Sequence, residues 1–532
     1  MLFVSYEFIA FTIILFVLYY LLPKKWQWPL LLVASYVFYW IANPYYLIFI
    51  GTTTISAFAA GIMMEKAQDR CDLSIKNAKA DGSYTSDLKK SLKAKAKASK
   101  WKILLISMLF NLGILAVTKY TNFVIDNINK FLSEGSAIKA IDLIIPMGIS
   151  FYTFKTVGYL IDTYRGTCKA EKNPFKLALF VSFFPQLVQG PISRYGNLSK
   201  TLFEPHKFSE KTFTNGFIRI LWGYFKKVVI ADRIITGVKV LIDTNATDTY
   251  YGAYVFVAMF FYAFQLYCDF TGGIDITIGI AQSLGITVEE NFNLPYFSKN
   301  IKEYWNRWHI TMGSWFTDYI FYPLSVDKNM LKLSKWSREH LGKFWGKRLT
   351  VYISAFLVWL ATGVWHGAAW NFIVWGLMNF VVIMVSQECD PLYEKFHKKF
   401  SWKNKAWYGV FEILRTIVLM SLIRMFDCYR DVPLTFKMVG TMLYKFNWNI
   451  FIDGSLLKLG LSMSDYIVLL AGLVIILAVS IYKYRTKKDI REGLYKNPWV
   501  WYGIMAILLI VTLLFGAYGH GYDATQFIYN QF

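Results

Sequence analysis

The chain has 532 residues, 55% of them hydrophobic and 19% aromatic, and carries a formal net charge of +22. Apolar content this high, arranged in runs near the roughly 20 residues that cross a bilayer, excludes a soluble globular enzyme and reads as a polytopic membrane protein. The cations cluster between apolar runs rather than on a separate basic domain, so the positive-inside rule accounts for them and no nucleic-acid partner is expected.

In chain order, candidate spans cover 9–22, 30–41, 46–64, 103–117, 141–160, 177–188, 255–267, 351–360, 372–385, 413–423, 467–481 and 499–514. Several fall short of a full span, so the expected architecture is all-α, with about eleven transmembrane helices plus re-entrant and amphipathic helices. Lys24 and Lys25 follow the first run and no small-residue cleavage site comes after it, so that run is expected to be retained. Basic segments at 65–102, 328–348, 395–405 and 483–496 are placed on the cytoplasmic side. With no repeat and no linker, residues 1–532 read as a single membrane domain with a basic cytoplasmic loop at about 65–102. Cys71, Cys168, Cys268, Cys389 and Cys428 lack paired or metal-type spacing, which suggests neither disulfides nor a metal site.

Polar groups inside the apolar runs mark candidate sites. Pro146-Met-Gly148-Ile-Ser150 and Gln189-Gly190-Pro191-Ile-Ser193-Arg194 punctuate such runs as re-entrant turns do. Lys226, Lys227 and Arg233 are candidates to grip the phosphates of a nucleotide-bearing acyl donor, with snorkelling at the interface as the alternative. Asp269 and Asp275 flank Gly272-Gly273, the pattern of an interrupted helix lining a cavity. There the carboxylates would orient a histidine or bind a polar acceptor; a structural pair holding the helix is the alternative. Trp305, Trp308, Met312, Trp315, Phe316 and Tyr319 recur at helical spacing, with Arg307 largely off the stripe and His309 beside it. Alone, that pattern also fits an interfacial amphipathic helix.

Trp365-His366-Gly367, followed by Trp370-Asn371, lies between the apolar runs 351–360 and 372–385. Basic segments on both sides force a hairpin with His366 near its turn. Sixteen helical residues from Thr350 to Trp365 rise about 24 Å, which takes His366 deep into the membrane. An ionisable group at such depth is a functional-site hypothesis, and neutral imidazole is the form that takes a proton from a hydroxyl. The chain has no Walker-type phosphate loop, HExxH zinc motif, GxSxG elbow or dinucleotide glycine fingerprint, so nothing points to ATP hydrolysis, zinc proteolysis, serine hydrolysis or hydride transfer.

At these residues, and at Tyr159 to Arg165, Cys268 to Gly285, Asn293 to Pro323 and the terminal Phe527-Ile528-Tyr529-Asn530-Gln531-Phe532, the sequence resembles the membrane-bound O-acyltransferase (MBOAT) family. The likeness is to its bacterial branch of alginate O-acetylation and lipoteichoic acid D-alanylation membrane subunits. Asn530 departs from the phenylalanine expected there. The resemblance implies that His366 is the principal catalytic histidine and His309 the second, within helices around a catalytic tunnel. Trp305, Arg307, Trp308, Trp365 and Asn371 join Asp269, Asp275, Gln189 and Arg194 as tunnel candidates. It further implies a multi-pass protein of the bacterial inner membrane that moves an acyl group, most simply acetyl, from a cytoplasmic thioester such as acetyl-CoA or an acyl-carrier protein toward an exported polysaccharide or cell-wall polymer. An extracytoplasmic or membrane-anchored, esterase-like partner would complete the transfer. D-alanyl transfer to teichoic acid and acylation of a lipid are alternative enzyme readings, and a transporter built on the broken helix is a non-enzymatic one.

Overall fold

The computed structural model describes residues 3–518. The terminal hexapeptide that carries Asn530 lies outside them. Among the described residues the chain is helical without strands, apart from one isolated bridge between Phe292 and Trp308. Seven helices among the described residues are long and apolar enough to cross a membrane. Only 11% of the apolar stretch of Pro498–Phe515 is covered by protein, so most of that surface faces lipid. The chain is an all-α integral membrane protein.

The chain forms two compact units, whose boundary passes through α8 (Glu210–Tyr224) and α10 (Ala253–Ser283). The first unit holds 5–214 and 280–288 and begins with α1 (Tyr6–Leu21), α2 (Gln27–Ala42), α3 (Tyr46–Ala80) and α4 (Ser86–Asn129). At 1.5 Å per residue, the 35 and 44 residues of α3 and α4 rise about 52 and 66 Å, well beyond a hydrocarbon core of about 30 Å. Their charged ends continue as helix. The basic segment expected as a loop is therefore a helical hairpin, and Thr85 caps its second arm by accepting from the Leu88 N–H at 3.0 Å.

The expected span 141–160 is helical only from Ile149, in α5 (Ile149–Arg165). Pro146 and Gly148 explain the break. Gly148 has φ +69°, and a Cβ there would stand 2.1 Å from the Leu187 carbonyl oxygen. The non-helical backbone before it is satisfied by side chains: Asn122 both accepts from and donates to the Ile141 backbone at 2.9 Å, and Asn129 does the same for Ile138. After α6 (Pro174–Ser182) and α7 (Tyr195–Leu202), the chain enters α8.

The second unit comprises 215–279 and 289–518 together with 3–4. Its helix α10 runs unbroken through Gly272 and Gly273, which corrects the expectation of an interrupted helix and removes the observation behind the transporter reading. Gly272 serves close packing instead. A Cβ at Gly272 would lie 2.9 Å from the Gly223 carbonyl oxygen, and one at Gly223 would lie 2.6 Å from that of Gly272. The two backbones touch where no side chain intervenes. Past α8, residues Phe225–Ala231 form a π-helical stretch, leading to α9 (Asp232–Leu241).

Downstream, α11 (Ile301–Arg307) and α12 (Ile310–Phe316) precede α13 (Tyr322–Ser325), α14 (Lys328–His340), α15 (Gly342–His366) and α16 (Trp370–Glu388). Then come α17 (Asp390–Lys399), α18 (Ala406–Tyr429), α19 (Val432–Tyr444), α20 (Met463–Thr486), α21 (Ile490–Leu494) and α22 (Pro498–Phe515). The pair α15 and α16 is the expected hairpin. A Cβ at Gly376 would meet the Trp359 carbonyl oxygen at 2.5 Å, and one at Gly363 the Phe372 carbonyl oxygen at 2.6 Å, so the two spans cross backbone to backbone just below the turn.

Candidate active site

His366 is the last residue of α15. The close crossing at Gly363 and Gly376 brings the start of α16 against it. Its imidazole packs on Trp375 with ring centres 4.7 Å apart, on Trp365 at 5.0 Å, and parallel to Phe372 at 6.5 Å. Gly367 is required by that packing, because a Cβ there would lie 2.3 Å from two ring carbons of Phe372. Asn371 donates to the Phe426 carbonyl at 3.2 Å and ties α16 to α18.

His309 is built by a different device. Residues 291–293 run antiparallel beside 307–310, with Asn293 N–H donating to the Arg307 carbonyl and Ile310 N–H to the Asn291 carbonyl, each at 3.0 Å. Between α11 and α12, His309 adopts φ +49°, a left-handed conformation that costs a non-glycine residue about 1–3 kcal/mol and is found where surroundings over-determine it. The Asn291 side-chain oxygen accepts from the Thr311 backbone N–H at 3.1 Å and the Thr311 hydroxyl at 2.9 Å, which identifies that atom as the oxygen. It also lies 3.3 Å from His309 Nδ1. The proton therefore sits on Nδ1, and Nε2 carries the lone pair. Burial, reinforced by the Arg424 charge, lowers the His309 pKa from its ordinary value to about 3, so the ring is a neutral imidazole.

One indole neighbours both histidines. The Trp365 ring stands 5.9 Å from His309 and 5.0 Å from His366. Phe270 of α10 closes the other side of His309 at 5.0 Å. Trp308 stacks on Tyr304 at 5.5 Å, while Trp305 donates its Nε1–H to Asn379 at 3.1 Å and packs on Trp375 at 5.7 Å. His366, His309, Trp365, Trp308, Trp305 and Asn371 thus belong to one buried region where α11, α15, α16 and α18 meet.

The remaining expected site residues have other partners. Arg307 pairs with Glu303 at 2.6 Å and donates to the Leu294 carbonyl. The cations expected for donor phosphates are engaged by carboxylates of the chain: Lys226 with Asp275 at 2.6 Å, Lys227 with Asp232 at 2.5 Å and Asp269 at 2.7 Å, and Arg233 with Asp465 at 2.8 Å. Their charge is neutralised inside the protein, and Asp269 and Asp275 join α10 to the π-helical stretch instead of orienting either histidine. Gln189 and Arg194 fall in the first unit, Gln189 fully buried and Arg194 at the start of α7.

Sequence reasoning missed Arg424 and Asp427, paired at 3.0 Å and both buried in α18. Their signal was two opposite charges three residues apart in an apolar helix.

Residues 171–428 match the profile of the MBOAT, membrane-bound O-acyltransferase family. This segment belongs to that family. It contains both histidines and every contact just described around them. Among MBOAT-type relatives, the chain is 31% identical over 371 residues to the probable alginate O-acetylase AlgI of Pseudomonas aeruginosa, covering 68% of this chain and 60% of the relative. It is 32% identical over 337 residues to the peptidoglycan O-acetyltransferase of Helicobacter pylori, covering 58% and 60%. It is 31% identical over 279 residues to the teichoic acid D-alanyltransferase of Bacillus subtilis, covering 52% and 66%. The matches thus span about three fifths of the first two relatives.

Proposed function

We propose that the protein is a bacterial inner-membrane O-acyltransferase. It moves an acetyl group from a cytoplasmic thioester, acetyl-CoA or an acyl-carrier protein, toward a hydroxyl of an exported polysaccharide or cell-wall polymer. The observation that carries this reading is the pair of buried imidazoles that both neighbour Trp365, one with its basic nitrogen fixed as Nε2. The acetylases and the D-alanyltransferase among the relatives support the reaction class.

His366 takes the proton from the attacking hydroxyl as the new C–O bond forms and the thioester C–S bond breaks, and the thiol leaves with a proton. General-base action of this kind is worth about 100- to 10,000-fold. His309 positions the reacting group and supports developing negative charge. No large soluble domain holds a polymer among the described residues, so an extracytoplasmic, esterase-like partner completes the transfer.

Purified His366→Ala and His309→Ala proteins should remain folded, at a lowered melting temperature, yet lose thioester turnover; wild-type turnover in His366→Ala overturns the assignment. Supplying acetyl-CoA and a D-alanyl carrier protein side by side identifies the donor.

A further inference from the structure

The Arg424 guanidinium, 5% exposed, is surrounded by indoles: Trp308 at 4.9 Å, Trp375 at 5.0 Å and Trp305 at 5.6 Å from its central carbon. Its Nη1 donates to Asp427 at 3.0 Å, and the Tyr304 hydroxyl is its other polar neighbour. The rest of the guanidinium faces indole rings in a desolvated setting, where a cation–π contact is strong. Of the two nearer indoles, Trp375 packs on His366, and Trp308 shares the Phe270 ring with His309, at 6.1 Å and 5.0 Å. Trp308 precedes His309 in the chain, and Trp375 lies 4.7 Å from the His366 ring. The Trp375 indole N–H has no hydrogen-bond partner among the described residues, so ring contacts alone orient it.

We infer that Arg424 is a positioning residue for the histidine pair, holding the indoles of Trp308 and Trp375 and, through them, the imidazoles of His309 and His366 in one arrangement. A buried ion pair adds little net stability compared with apolar residues of the same volume, so the contribution of Arg424 is orientation. Its planar guanidinium stacks on several rings at once, which a lysine ammonium does only in part.

This inference rests on the acyl-transfer reading, and the test separates the two. Arg424→Met keeps the stem and removes the charge. It should lower kcat for the thioester donor about 100-fold, the cost of roughly 1 Å of misplacement, while KM stays nearly constant. Arg424→Lys should recover about tenfold of that loss. The near-ultraviolet circular dichroism of the tryptophans should change in Arg424→Met and change less in Arg424→Lys. Wild-type kcat in Arg424→Met, an unchanged tryptophan spectrum, or a lysine variant no better than the methionine variant with both folded overturns the inference. Should Arg424→Met fail to fold, Asp427→Asn decides: it leaves the cation in its cage and should keep most of the turnover, and a complete loss in a folded protein overturns the cage. Wild-type inactivity toward both donors strikes the acyl-transfer reading alone, because the tryptophan spectrum still reports on Arg424.

Discussion

Gly367→Ala adds one methyl beside the proposed base. At φ −174° the backbone of Gly367 is extended, a conformation alanine adopts freely, so the whole effect is steric. The new Cβ would lie 2.3 Å from Cδ2 and Cε2 of Phe372, where carbon atoms ordinarily stop at about 3.5 Å, so the ring must retreat by about 1.2 Å. It has little freedom to do so, because Phe372 is stacked on His366 and its own carbonyl is held against Gly363. The displacement passes to the imidazole. A shift of about 1 Å in a reacting group costs about 100-fold in rate, while overpacking of this size costs about 1–3 kcal/mol in stability. Thioester turnover in nanodiscs, read beside the melting temperature, should show a loss of activity far larger than the loss of stability. Gly367→Ala/Phe372→Leu, which withdraws the clashing ring, should regain most of the rate. Wild-type turnover in Gly367→Ala, or no recovery in a folded double variant, refutes the packing argument.

Two further outcomes follow from the buried charges. Lys227→Met strands the carboxylates of Asp269 and Asp232, and should cost about 3–5 kcal/mol in a denaturation assay, with Lys227→Met/Asp269→Asn recovering part of it; strictly additive losses would deny the coupling. His309 binds a proton less readily folded, with a pKa near 3, than unfolded, where it titrates at about 6.5. Its contribution to stability is complete above pH 6.5 and declines as the pH falls from there toward 3, so His309→Gln should flatten the fall in melting temperature across that interval, and parallel curves for the two proteins contradict it.

The membrane class was readable because lipid imposes length and apolarity directly on the sequence, as in the runs that became α3, α4, α20 and α22. His366 was readable for the same reason, since a titratable group at a hairpin turn between two spans stands out. Gly272 misled because glycine signals two opposite things. In water it weakens a helix; between membrane helices it lets backbones meet, and only the partner glycine at 223 reveals which is at work. The left-handed backbone of His309 was invisible because it depends on Asn291, eighteen residues away, through hydrogen bonds that no periodicity encodes. Lys226 and Lys227 were read as a snorkelling or phosphate-gripping pair because their carboxylate partners on α10 lie more than forty residues on. Arg424 was hidden for a different reason, since its indole neighbours come from two other parts of the chain.

The pairing of Lys226 and Lys227 with Asp275 and Asp269 also bears on how the protein is made. The lysines leave the ribosome first, and although Asp232 follows Lys227 at once, Asp275 and Asp269 arrive only with α10. A single charged side chain at the centre of a membrane helix costs about 2.5–3.5 kcal/mol at insertion, so α10 enters with Asp269 and Asp275 at a disadvantage that the waiting lysines offset. Assembly of this region is consequently completed only once α10 is made: a chain stalled before residue 253 has Lys226 without its carboxylate and Lys227 with Asp232 alone.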